Sequence, residues 1–181
     1  MVGNFRTWIG AVLFTALTIH VPANGQVFVE RGAPPSTMDE LSGKADGVIA
    51  GTVLNASAFV PGGVSSARQM TKFRILVTDV FKTGQAHLIC VGDTIEVIQI
   101  GTGLGDTEPG LSPLFTDGDE LVLAVSWWSE GGAFQLRFGA DGVFELKDGL
   151  VKPRGRSQLS NLQRGRPRGD LFSELRRRAS R

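Results

Sequence analysis

"MTKFRILVTDVF", residues 70–81, carries an alternation of side chains. Phe73, Ile75 and Val77 fall on one face, and Lys72, Arg74 and Thr78 on the other. A period of two is the signature of a strand with one face in a core. The run is long for a strand, and its pattern breaks near Asp79. That break predicts a bend or bulge, the device by which a sheet curls into a barrel.

Outward from this stretch the chain keeps the same character. "GVIAGTVLN" (47–55), "TIEVIQI" (94–100) and "ELVLAVSWW" (120–128) each read as strands. The Asp117-Gly118 turn introduces the last of these. "AFQLRF" and "GVFEL" are expected to form a hairpin across residues 139–141, with Asp141-Gly142 as the turn signal. "LVKP" adds a last short strand. Turn chemistry, and no helix, separates consecutive strands, which disfavours a parallel α/β design. The expected fold is mainly β: a small antiparallel OB-like barrel of five to six strands, with a short N-terminal helix and a C-terminal helix. Thr37 is a good N-cap for the first helix, Met38–Ala45, and Glu40 three residues on completes a capping box. "GDLFSELRRRA" reads as the terminal helix, capped by Asp170, with an apolar stripe of Leu171, Phe172 and Leu175. Pro61-Gly62-Gly63 marks a further turn.

The length of 181 residues suits one domain with a proper core. Hydrophobic residues make up 41% and charged residues 20%, which places the body among globular and not disordered chains. The single cysteine, Cys90, excludes an internal disulfide and a Cys-based zinc cluster. Arg6, the uncharged run 8–19 and the small residues Ala23 and Gly25 make the three parts of a secretory signal peptide. The apolar run is shorter than the ~18–20 residues of a membrane span. Residues 1–25 are therefore expected to be cleaved near Gly25-Gln26, giving a periplasmic or extracellular protein with no transmembrane segment. Residues 26–36 follow as a linker, 37–153 as the barrel domain, and 154–181 as a basic tail ending in the helix. The net charge of +1 hides a division. Residues 26–151 hold 8 Lys/Arg against 16 Asp/Glu, and residues 152–181 hold 10 against 2. An acidic body thus carries a basic tail, which attracts either the body itself or an anionic partner.

Several motifs invite chemistry. Gly101-x-Gly103-x-Gly105 follows a strand, but Asp106, Glu108 and Pro109 come next. Acids repel phosphate and proline discourages the helix a dinucleotide loop needs, so these glycines serve a turn. His87 and Cys90 offer a thiol and a base, and make an envelope hydrolase the competing function. His20 lies in the signal, which leaves His87 without a second histidine for a zinc site. Asp117, Asp119 and Glu120 crowd one turn without the spacing of a calcium loop. Trp127 and Trp128 must point to opposite faces of their strand. Leu121, Leu123, Val125 and Trp127 are assigned to the core, and Trp128 becomes a possible partner contact. Arg164-Gly165-Arg166-Pro167 has the letters of a minor-groove hook, with Arg168 beyond it. Arg164, Arg166 and Arg168 are the candidate contacts of a second alternative function, a nucleic-acid or anionic-polymer binder acting through the basic tail. Export argues against DNA, so no nucleic acid is expected. Asn55-Ala56-Ser57 is a glycosylation sequon, relevant only in a eukaryotic secretory path.

The ordered set of short motifs resembles an uncharacterised family of exported bacterial proteins with an OB-like β-barrel plan. It comprises Ala45-Asp46 after the first helix, Val48-x-x-Gly51-x-Val53, Lys82-Thr83-Gly84, Gly101, Phe115-x-x-Gly118-Asp119, and Gly142-x-Phe144. The resemblance spans roughly residues 37–153 and implies the barrel, with no activity attached. The expectation is a non-enzymatic exported module for binding or envelope interaction. No cofactor or metal is expected. The partner is an envelope protein or anionic component, and the chain is expected to be a monomer.

Overall fold

The computed structural model describes residues 33–59, 70–85, 87–100, 115–129 and 131–180. The expected signal peptide, the expected linker as far as residue 32, the turn expected at Pro61-Gly62-Gly63 and the glycine motif within 101–114 lie outside the described residues.

Seven strands form one sheet: β1 (Gly47–Phe59), β2 (Met70–Lys82), β3 (Thr94–Ile100), β4 (Glu120–Trp128), β5 (Ala133–Leu136), β6 (Val143–Lys147) and β7 (Leu150–Pro153). The sheet order is β1-β2-β3-β5-β4-β6-β7, and a further β1–β4 pairing closes five strands into a barrel. The pairings are antiparallel except β3–β5, where Val97 and Ile98 run parallel to Phe134 and Gln135. The barrel is therefore mixed, and β6 and β7 extend it by two strands.

The bend expected near Asp79 is present. Along β1 the register skips Phe81 between Val48 and Ile49, and Thr78 between Ala50 and Gly51. The skips redirect side chains. Phe73, Ile75 and Val77 point into the barrel with Ile49, Val53, Leu121, Leu123, Val125 and Val143. Phe81, an odd-numbered residue like them, is turned outward into a second core. There it meets Phe172 edge-on at 5.0 Å. The bulge thus allows one strand to serve two cores.

That second core explains the termini. The outer face of β4, Val122 and Ala124, is buried as fully as its inner face. It is covered by Met38 and Leu41 of α1 (Met38–Lys44), by Phe144 and Val151, by Leu159 of α2 (Gln158–Gln163), and by Leu171, Phe172 and Leu175 of α3 (Arg168–Ala179). Thr37 caps α1 by accepting from the Glu40 amide at 3.1 Å. The return bond of the capping box is shifted by one residue: Glu40 accepts from the amide and hydroxyl of Ser36, and not from the Thr37 amide. Lys82 closes the other end of α1, donating to the Ser42 and Ala45 carbonyls at 2.6 Å each.

Two sequence expectations are corrected. The hairpin across residues 139–141 does not form. Both of its strands pair with β4, β5 along Val125–Trp128 and β6 along Leu121–Leu123. They lie end to end, joined by a 3-10 turn at Gly139–Gly142. The hairpin is instead β6–β7, turned by Asp148-Gly149 with φ of 55° and 75°. Two successive left-handed residues match the twist of a tight hairpin. Asp170 is not the cap of α3. Pro167 occupies that position, and Asp170 sits in the first turn, where its charge still complements the helix dipole. No helix among the described residues is long and apolar enough to cross a membrane.

Candidate contact surface

Residues 154–180 fold back onto the barrel. Arg154 pairs with Glu145 at 2.8 Å. Ser157 caps α2, accepting from the Ser160 amide, while Asp141 accepts from the Ser157 amide and the Ser160 hydroxyl. The hook-like Arg164-Gly165-Arg166-Pro167 is laid along the edge of β7. Gly165 donates to Val151 at 2.9 Å, Val151 to Arg166 at 2.8 Å, and Arg168 to Gly149 at 2.8 Å. Leu150 bridges Pro167. Its backbone therefore completes a sheet edge, which would otherwise stand unpaired.

The three arginines chosen from the sequence have different surroundings. Arg166 donates to Gln163 and Glu174 at 2.6 and 2.7 Å. Arg168 pairs with Glu120 and lies 4.9 Å over the Phe172 ring. Arg164 is exposed and makes no ion pair among the described residues. Farther on, Arg176 reaches Asp79 at 2.7 Å, and Arg178 binds Asp39 and Glu174. Most of the basic charge thus neutralises carboxylates of the same chain.

Trp128 is half-buried against Met70, Ile98 and Ala133. Trp127, on the opposite face, closes one end of the barrel. Its ring stacks on His87 at 3.8 Å and 22°, and meets Phe134 edge-on at 5.1 Å. Its amide donates to the Asp46 carboxylate at 2.8 Å. The His87–Trp127 pair joins residues 40 apart in the chain, with no local signal to announce it.

The connector between β2 and β3 is held at several points. The Thr83 hydroxyl accepts from the Ile89 amide at 2.9 Å and donates to the His87 carbonyl at 3.3 Å. Asp93 accepts from the Cys90 amide at 2.7 Å. Gly92 donates to Val77, and Val77 to Asp93. Ile89 anchors the loop in the inner core at 4% exposure, yet its neighbours Leu88 and Val91 are 73% and 65% exposed. Cys90 between them is exposed as well. No hydrogen bond joins His87 to Cys90 among the described residues.

The acidic turn is likewise occupied. Asp119 accepts from the amide and hydroxyl of Thr116, both at 2.9 Å, and Glu120 is taken by Arg168. No group of three His, Cys, Asp or Glu able to hold a metal occurs among the described residues.

Strand order and closure define an OB-like barrel whose two extra strands and helices form a second layer. The chain matches no protein-family model and no curated protein.

Proposed function

We propose that the chain is a non-enzymatic, exported binding module of the cell envelope, akin to the exported bacterial proteins it resembles. It engages a partner protein through the barrel end built on the β2–β3 loop. The observation that carries this reading is the pairing of rigidity with apolar exposure. The loop spends its polar groups on fixing its own shape and presents Leu88 and Val91 to water. Exposed apolar side chains on a prearranged loop bind with little ordering cost. The basic segment draws less support as the contact, because Arg166 and Arg168 are engaged by Glu174 and Glu120.

The test uses a double variant, Leu88→Ser with Val91→Ser. Wild-type protein immobilised against a native envelope fraction retains a saturable partner; the variant loses it while its melting temperature stays unchanged. Equal retention by both proteins refutes the loop as the contact. Export is tested separately by the mass of the chain recovered outside the cytoplasm, which should begin at Gln26. A His87→Ala, Cys90→Ala variant that abolishes a turnover found in the wild type would replace this reading with the hydrolase.

A further inference from the structure

The surface around α2 stands out once the basic segment is sorted into paired and unpaired charges. No Asp or Glu occurs between residues 149 and 169. The body carboxylates that meet this segment are already engaged. Asp141 holds Ser157 and Ser160, Glu145 holds Arg154, Glu120 holds Arg168, and Glu174 holds Arg166 and Arg178. Arg156 and Arg164, which flank α2 on either side, are exposed and make no ion pair among the described residues. The helix buries Leu159, Ser160 and Gln163. It exposes Gln158, Asn161 and Leu162, the last to 63%. Residues at i, i+3 and i+4 form one contiguous face. That face is a leucine among neutral amides, with an uncompensated arginine at each end.

We infer that this face is a contact for an anionic lipid surface: Leu162 enters the headgroup boundary, and Arg156 and Arg164 meet the lipid phosphates. The charge is complementary, since no carboxylate among the described residues pairs with these two guanidinium groups. The exposed leucine selects lipid over a hydrated anionic polymer, which offers an apolar side chain no apolar medium. One leucine and two arginines make a shallow, reversible contact. The inference does not rest on the β2–β3 loop.

The experiment is sedimentation of the full chain with phosphatidylglycerol-rich vesicles against pure phosphatidylcholine vesicles. Any binding through the apolar run 8–19 is common to both kinds, so the readout is the anionic excess. The excess should be salt-sensitive. It should fall about fivefold for Arg156→Gln and again for Arg164→Gln, and about tenfold for Leu162→Ser. Melting temperatures should hold, and the Leu88→Ser, Val91→Ser variant should bind like wild type. Equal binding to both vesicle types overturns the inference. So does an excess that survives the arginine variants, or one lost in the loop variant. An excess that ignores Leu162→Ser and is competed away by polyphosphate identifies a polymer site instead, and also overturns it.

Discussion

Ending the chain at Pro167 removes α3 and tests whether the basic segment is part of the fold or an appendage. Leu171, Phe172 and Leu175 are 0%, 7% and 1% exposed against Met38, Leu41, Phe81 and Val122. Burial of such side chains contributes about 1.5–3 kcal/mol each, or roughly 5–9 kcal/mol together. A domain of this size has a total stability of about 5–15 kcal/mol. The Arg168–Glu120 and Arg176–Asp79 pairs are partly exposed and add less than about 1 kcal/mol apiece. The shortened chain should therefore fail to unfold cooperatively, and should expose the outer face of β4 to apolar dyes. Leu175→Ala keeps the helix and isolates the packing. It should cost about 2–5 kcal/mol, lowering the melting temperature by roughly 2–4 °C per kcal/mol. Urea titration followed by the fluorescence of Trp127 and Trp128 measures both variants, since neither tryptophan is removed. A shortened chain that melts cooperatively within a few degrees of the full chain refutes the two-core reading and makes 168–181 a solvated tail.

Glu40 is held down from the ordinary 4.5 to about 2, first by the hydrogen bond from Lys44 and then by the amide and hydroxyl of Ser36. A depressed folded pKa stabilises above the unfolded value and is lost on acidification, so the melting curves of wild type and Glu40→Gln should converge between about 4.5 and 2; a gap that persists at the acid end counts against it. At Gly51 a Cβ would lie 2.6 Å from both the Leu76 carbonyl oxygen and Ile75. Gly51→Ala should cost about 1–3 kcal/mol in urea titration, and an unchanged midpoint refutes the close approach. Lys82→Met keeps the stem and removes the charged bonds to Ser42 and Ala45, which should cost about 1.5–3 kcal/mol; an amide-exchange rate in α1 equal to wild type counts against the cap.

Local pattern made much of the barrel legible. The alternation in 70–81 fixed which side of β2 faces inward, and its break at Asp79 located the bulge. What remained hidden was set at long range. Asp141-Gly142 and Asp148-Gly149 have identical turn chemistry, and only the second turns a hairpin, because β4 takes both flanking strands of the first. The parallel β3–β5 pair has no signature in either strand. The second core was half visible: the apolar stripe of α3 was legible, but nothing local in the sequence named its target, the outer face of β4. α2 carries only Leu159 and Leu162 as apolar residues, too few for a periodicity. The His87–Trp127 stack depends on the closure of the barrel and so could not precede it.

Several of the motif residues singled out in the sequence have structural work. Asp46 caps the end of β4 through the Trp127 amide. Gly51 permits the close passage of β1 over β2. Lys82 closes α1, and Asp119 folds the turn into β4. A motif set of this kind specifies how a barrel turns its corners, and leaves the partner to segments between the motifs. Leu88 and Val91 lie in one such segment, and Arg156, Leu162 and Arg164 lie beyond the last motif. Substitutions at the motif residues should therefore lower stability while leaving affinity per folded molecule intact. Substitutions at those five positions should lower affinity and leave stability intact. A variant series in which the two effects travel together would show that binding and barrel closure share residues, and that the contact lies within the motif set.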